Sequence, residues 1–112
     1  MMQFDRDVLI AKLAQLQDLI ARIENKRPDR LDLLLVDRDT QDILSKNIER
    51  SVQICVDVAT HVATANGFAP TTSGDAFQIL SDHEMLDRNI ANAMIRAVGF
   101  RNVAVHEYVK ID

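Results

Sequence analysis

The segment TQDILSKNIERSVQICVDVATHVATA, residues Thr40–Ala65, decides the fold of this chain. Apolar residues recur in it at intervals of three and four, the spacing of one face of an α-helix. The principal stripe consists of Leu44, Ile48, Val52, Cys55, Ala59 and Val62. Further apolar residues at Ile43, Ile54, Val56 and Val58 widen that face. Asp39 is expected to cap the helix and Asn66–Gly67 to end it. So wide an apolar face predicts a central helix.

The same helix carries a polar stripe, which is formed by Lys46, Arg50, Gln53, Asp57 and His61. A solvated face with charged residues one turn apart would produce such a stripe. One wall of a polar cleft would produce it as well, and the pattern leaves both interpretations open. In the second interpretation, Arg50 and Asp57 are expected to lie nearest to the C-terminal motif described below.

Towards the N-terminus, the pattern predicts a first helix over Asp5–Asn25, with Asp5 as its N-cap. Its apolar face is formed by Leu9, Leu13, Leu16, Ile20 and Ile23. The helix is expected to end before Pro28, because proline disfavours helix in the preceding residue. The connector that follows, Lys26–Asp39, contains Leu31, Leu33, Leu34 and Leu35. These leucines are expected to form one apolar turn that covers the bundle.

Towards the C-terminus, a loop over residues 68–74 leads to an expected short helical turn at Asp75–Leu80. Ser81–Glu84 matches a capping box and predicts a third helix that runs to Val98 and is ended by Gly99. The inward residues of this helix are expected to be Leu86, Ile90, Ala93, Met94 and Ala97. A fourth helix is expected from Phe100 or Arg101 to the end of the chain.

These elements predict an all-α fold, an antiparallel up-and-down bundle of four to five helices in a single domain over residues 1–112. Apolar residues make up 47% of the chain, and it has three glycines and two prolines, which favours helices over loop-rich folds. The lone Cys55 excludes an internal disulfide and indicates a reducing, cytoplasmic location. No signal peptide, membrane span or metal-ligand spacing is recognisable. The net charge of −4 disfavours broad, charge-driven nucleic-acid binding.

The residues that carry chemistry lie in the segment RNVAVHEY, Arg101–Tyr108. On a helix at 100° per residue, an arc of about 160° holds Tyr108, Arg101, Asn102 and His106. These residue types suit metal-independent RNA cleavage. His106 can carry the protons of the 2′-hydroxyl and the 5′-oxygen, and Arg101 can bind the phosphoryl oxygens. Asn102 can orient His106 or the sugar, and Tyr108 can stack on a base or bond to phosphate.

A single histidine does not easily serve as base and acid in the same site at once. A two-fold dimer that brings two copies of the last helix together would supply two copies of His106 and Arg101. The chemistry therefore predicts a homodimer with its site in a cleft between subunits. An arginine followed five residues later by a histidine is a weak pattern by itself, and an amphipathic helix with a solvated Arg and His would also produce it.

The longer context is more specific. Gly99–Tyr108, GFRNVAVHEY, resembles the G-[FL]-R-N-x-x-[VA]-H-x-Y segment of the HepT-like family of HEPN-domain ribonuclease toxins. Leu80–Asp82, Met94–Ile95 and Glu49–Gln53 are also similar to that family. The resemblance covers most of the chain from about Thr40 onwards. It implies an antiparallel helical bundle, a homodimer and a metal-independent endoribonuclease that needs no cofactor.

The resemblance also implies a biological setting and roles for individual residues. The family implies the toxin of a toxin–antitoxin pair, which acts on RNA and is neutralised by a small nucleotidyltransferase antitoxin. By position, Arg101 and His106 would be the catalytic pair, Asn102 the polar residue after the arginine, and Tyr108 the tyrosine that the partner modifies with adenylate. Relatives usually continue for another helix or so beyond this tyrosine, so this sequence is expected to lack that end.

Two other functions fit the sequence. The chain could be a non-catalytic helical subunit that docks a nucleotidyltransferase, or a structural bundle with no site. A docking protein has no need for Arg, Asn, His and Tyr on one arc of a helix. The motif therefore favours the RNA endonuclease over both alternatives.

Overall fold

The computed structural model describes the backbone of residues 4–110 and the side chains of residues 4–102. This part of the chain folds into five helices without strands. They are α1 (Arg6–Lys26), α2 (Leu31–Val36), α3 (Arg38–Ala65), α4 (Ser73–Asp82) and α5 (Arg88–Lys110). The all-α prediction is confirmed. Between residues 4 and 110, no helix combines the length and the apolar character needed to cross a membrane.

The central position predicted for α3 is confirmed, since α1, α2, α4 and α5 all pack against it. Its C-terminal half forms the main core together with α4 and α5. The buried members of this core are Val52, Val56, Ala59, Val62, Ala63, Ala76, Phe77, Leu80, Ala91 and Val98. Cys55 is half-buried against them, and burial raises the pKa of its thiol.

Local capping explains where the helices begin and end. Asp5 accepts hydrogen bonds from the backbone of α1, as predicted. At the end of α3, Gly67 has a φ of +88°, and the amides of Gly67 and Phe68 donate to the carbonyls of Thr64 and Ala63. This is a Schellman motif, which confirms the predicted stop. At the start of α3, Asp37 is the cap rather than the predicted Asp39, since its side chain accepts from Thr40.

The capping box predicted at Ser81–Glu84 is wrong, because these residues end a helix instead of starting one. Glu84 has a φ of 59°, and the amides of Glu84 and Met85 donate to the carbonyls of Ser81 and Leu80. A second Schellman motif therefore closes α4. The true capping box lies upstream, where Thr72 and Asp75 bond reciprocally at the start of α4.

The helix break predicted at Gly99 is also wrong. Asp87 accepts hydrogen bonds from the amides of Asn89 and Ile90, and α5 then runs without interruption through Gly99. Glycine inside a helix costs about 1 kcal/mol relative to alanine. Burial of the neighbouring Val98 against the core offsets this cost. The continuous helix fixes the direction in which Arg101 leaves the core.

Several predicted core residues lie at the surface instead. The apolar turn predicted to cover the bundle forms the short helix α2. Leu31, Leu33 and Leu35 are exposed on it, and of the four leucines only Leu34 is half-buried. Leu13, Ile20, Ile48 and Ile90 are exposed as well. Periodicity identified the helical segments but predicted too wide a buried face on them.

Candidate active site

Helix α5 carries Arg101 to the polar stripe of α3. Arg101 is half-buried, and its Nη1 donates to Oε1 of Gln53 at 2.7 Å. Its Nη2 donates to Oδ1 of the exposed Asn102 at 3.3 Å. The guanidinium is therefore held from two directions by neutral amide oxygens. No carboxylate is among these contacts to neutralise its positive charge.

Further hydrogen bonds connect Gln53 to α1 through Asp57. Nε2 of Gln53 donates to Oδ1 of Asp57 at 2.9 Å, and Oδ2 of Asp57 accepts from Nζ of Lys12 at 3.4 Å. A side-chain amide has a donor end and an acceptor end. Because Asp57 takes the donor end, the carbonyl oxygen of Gln53 faces Arg101. Three helices thus contribute to the orientation of a single arginine.

The two predicted supporting residues, Asp57 and Arg50, differ in how they are connected to Arg101. Asp57 reaches Arg101 only through Gln53. Arg50 is exposed and lines a cavity of about 400 Å³ together with Gln53. Sequence reasoning included Gln53 in the polar stripe but did not single it out. The available signal was its position between Arg50 and Asp57 on the same face of α3.

The rest of the motif follows on the same helix. The backbone of residues 101–108 is helical, so the prediction that the motif lies on one helix is confirmed. His106 and Tyr108 belong to α5, and their side chains lie outside the described residues. Their predicted roles stay predictions.

The other two histidines are engaged in structural contacts. Nε2 of His61 accepts from the backbone amide of Asp5 at 3.0 Å. Nδ1 of His83 donates to the carbonyl of Ile79 at 2.9 Å, and its ring lies 4.2 Å from that of Phe68. Among residues 4–102, no three His, Cys, Asp or Glu side chains come together as a group that could hold a metal ion.

Comparison with known proteins identifies the chain. The family model described as "Ribonuclease HepT-like" matches residues 12–112. The chain belongs to the ribonuclease HepT-like family. The mRNA nuclease HepT of Shewanella oneidensis strain MR-1 is 28% identical over 107 residues, which span 95% of this chain and 80% of that protein.

Solved structures agree with this assignment. The tri-AMPylated Shewanella oneidensis HEPN toxin in complex with MNT antitoxin matches with a TM-score of 0.84 and 30% identity, over 91% of this chain and 77% of that one. A toxin–antitoxin with AMP-PNP matches with a TM-score of 0.84 and 29% identity, over 89% of this chain and 76% of that one. The predictions of a HepT-like ribonuclease fold and of an RNA endonuclease are confirmed, and the docking-only alternative is disfavoured.

Proposed function

We propose that this HepT-like ribonuclease cleaves mRNA as the toxin of a toxin–antitoxin pair, in the cytoplasm and without a metal ion. The observation that carries the proposal is the charged, pre-oriented Arg101 on a helix that continues to His106. A guanidinium held by neutral acceptors retains donors for phosphoryl oxygens. The names of the similar proteins support the substrate and the setting.

The proposed reaction is an in-line transfer within the RNA. A base removes the proton of the 2′-hydroxyl, the 2′-oxygen forms a bond to phosphorus, and the bond from phosphorus to the 5′-oxygen breaks. An acid protonates that oxygen, so the products are a 2′,3′-cyclic phosphate and a free 5′-hydroxyl. His106 is the proton carrier, and Arg101 stabilises the charge on the phosphoryl oxygens. Asn102 supports Arg101, while Arg50 and Asp57 border the same cleft.

The need for both an acid and a base supports a homodimer, in which each subunit supplies one His106. Unpaired RNA suits this site, because its nucleotides can be splayed into a small pocket. A duplex would require the broad basic surface that a chain of net charge −4 does not provide.

Cleavage of a single-stranded RNA by His106→Ala tests the proposal. We expect activity to fall by about 10²- to 10⁴-fold, the usual loss for one positioned acid–base group. The circular dichroism spectrum and the dimer mass should not change. Wild-type activity should persist in EDTA and leave a 2′,3′-cyclic phosphate. Complete metal dependence, or unfolding of the variant, would contradict the mechanism.

Control by a nucleotidyltransferase antitoxin is the second part of the proposal. The Tyr108 hydroxyl would attack the α-phosphorus of ATP, forming a tyrosyl adenylate and releasing pyrophosphate. The added phosphate would carry negative charge beside Arg101 and occupy the space of the RNA backbone. The AMPylated relative in complex with its antitoxin supports this interpretation.

Tyr108→Phe separates modification from base stacking, because it keeps the ring and removes the hydroxyl. We expect this variant to retain most of its activity and to resist silencing by the antitoxin and ATP. Mass spectrometry should detect added adenylate on the wild type alone. An equal mass gain on both proteins would place the modified residue elsewhere.

A further inference from the structure

A seam between α1 and α3 extends away from the candidate active site. Two cavities lie along it, one of about 400 Å³ and one of about 270 Å³. Arg22 lines both, so the two cavities are neighbours along this seam. On α3 the lining residues extend from Ile43 to Ile54, and ten residues separate Ile43 from Gln53. Ten residues of α-helix correspond to about 15 Å.

The seam is locally positive on an acidic chain. Its charged lining residues are Arg22, Lys26 and Arg50, against the single anion Asp18. The remaining polar lining consists of the amides Gln15, Asn25, Asn47 and Gln53. Guanidinium, ammonium and amide groups are the side chains that contact phosphate and sugar in nucleic-acid complexes.

Both arginines of the seam are available to a ligand. Arg22 pairs with Asp18 at 3.5 Å, and these side chains are 61% and 67% exposed. Such an exposed ion pair contributes little, so a phosphate can replace the carboxylate. Arg50 is exposed, and it takes part in none of the three ion pairs found within residues 4–102.

The seam is continuous with the proposed active site. Gln53 lines the larger cavity and accepts the 2.7 Å hydrogen bond from Arg101. An RNA strand whose scissile phosphate lies at Arg101 can therefore enter the seam beside Gln53.

We infer that single-stranded RNA runs along the α1–α3 seam, with its phosphates contacting Arg50, Arg22 and Lys26. The inference rests on the proposed RNA cleavage and assigns it a substrate path. A stacked strand rises about 3.4 Å per nucleotide, so a seam of about 15 Å holds roughly four nucleotides. The path supplies local positive charge where the substrate passes, which reconciles RNA binding with a net charge of −4.

The test uses the double variant Arg22→Gln/Lys26→Gln, with Arg88→Gln as its control. Arg88 is exposed at the start of α5 and lines neither cavity, and thirteen residues, about 20 Å of helix, separate it from Arg101. Binding of a fluorescent 12-nucleotide RNA is measured on each variant in a His106→Ala background, so that the readout does not depend on cleavage. Loss of two phosphate contacts should weaken binding about tenfold and reduce the salt slope of log K by about 1.4.

In the active background, the ratio of kcat/KM for the 12-nucleotide RNA to that for a dinucleotide is the second readout. The double variant should lower this ratio about tenfold, because a dinucleotide is too short to fill the seam, and Arg88→Gln should leave it unchanged. The inference would be overturned if the double variant bound the RNA as tightly as the wild type does, with the same salt slope. Conversion of a dimer to a monomer would overturn it too, by identifying the seam as an interface between copies.

The outcomes also separate the inference from the proposed function. If the wild type does not cleave RNA but the double variant still loses binding, the proposed function fails and the RNA path is supported.

Discussion

The two sides of α3 are packed very differently. On the side of α4 and α5, Ala63, Ala76 and Phe77 are at most 3% exposed. On the side of α1, the only buried residue that α1 contributes is Leu19, at 8% exposed. Polar contacts supplement this sparse packing, from Lys12 to Asp57 and from Asp5 to His61.

The difference indicates a division of roles. The core of α3, α4 and α5 provides a rigid base, and α5 leaves it with Arg101 one turn beyond the buried Val98. The α1 side leaves polar atoms of α3 accessible, and the proposed RNA path lies there. Functional groups thus lie where packing is least complete, which is consistent with the general cost of burying polar groups.

The largest expected effect separates the two sides by stability. Phe77→Ala should lower the free energy of unfolding by about 3–5 kcal/mol, because it leaves a cavity in the core. Leu13→Ala, on the α1 side, should change it by less than about 1 kcal/mol, since Leu13 is 47% exposed. Urea denaturation followed by circular dichroism measures both. Equal losses would show that α1 is packed as firmly as α4.

The second expected effect concerns the link between the sides. Gln53→Leu removes the acceptor that holds Arg101, and we expect kcat for RNA cleavage to fall about tenfold, or roughly 1.4 kcal/mol. Gln78→Leu is the matched control, because Gln78 donates to Asp82 at the same 2.9 Å and spacing as Gln53 to Asp57. The control should retain full activity. Similar activity of both variants would remove Gln53 from the site.

A smaller effect is expected at two glycines. Gly67→Ala should cost about 1 kcal/mol of stability, because its φ of +88° is strained for alanine. Gly99→Ala should stabilise by up to about 1 kcal/mol, since no described atom lies within 4 Å of the added Cβ and alanine favours helix. Thermal unfolding measures both. Destabilisation by Gly99→Ala would indicate that α5 needs a break there.

The smallest expected effect is the pH dependence of two caps. Hydrogen bonds from the Thr40 backbone and hydroxyl lower the pKa of Asp37 below 3.8. Hydrogen bonds from the side chains of Thr71 and Thr72 lower that of Asp75. A lowered folded-state pKa contributes stability above the unfolded pKa, which is lost as pH falls through the folded value.

Asp37→Asn and Asp75→Asn should therefore be less stable than wild type at neutral pH, and the difference should narrow from about pH 5 to about pH 2. Urea unfolding at each pH measures this, with Leu13→Ala as the control, because the leucine side chain neither titrates nor forms hydrogen bonds. A stability difference between variant and wild type that stays constant with pH would contradict the hydrogen bonds assigned as the cause of the lowered pKa values.

The sequence alone determined the helices with strong local signals and the identity of the motif. The cap at Asp5 and the stop at Gly67 depend on residues within one turn of each other, so spacing reveals them. The arc of Arg101 and Asn102 follows from helical geometry in the same way. Local signals failed where the start and the end of a helix can use the same residue types. Ser81–Glu84 fits a capping box that starts a helix, but it ends α4 in a Schellman motif.

Only the tertiary structure decided which apolar residues are buried and what contacts Arg101. Leu13 and Ile90 satisfy the periodicity of a core, yet they are 47% and 55% exposed, because no described helix covers them. Gln53 and Arg101 are 48 residues apart, and they meet because α3 and α5 pack together. A contact between distant residues depends on helix arrangement, whereas caps and faces depend on neighbours along the chain. The motif can therefore be recognised in the sequence, whereas the residue that orients its arginine, Gln53, is identified only from the tertiary structure.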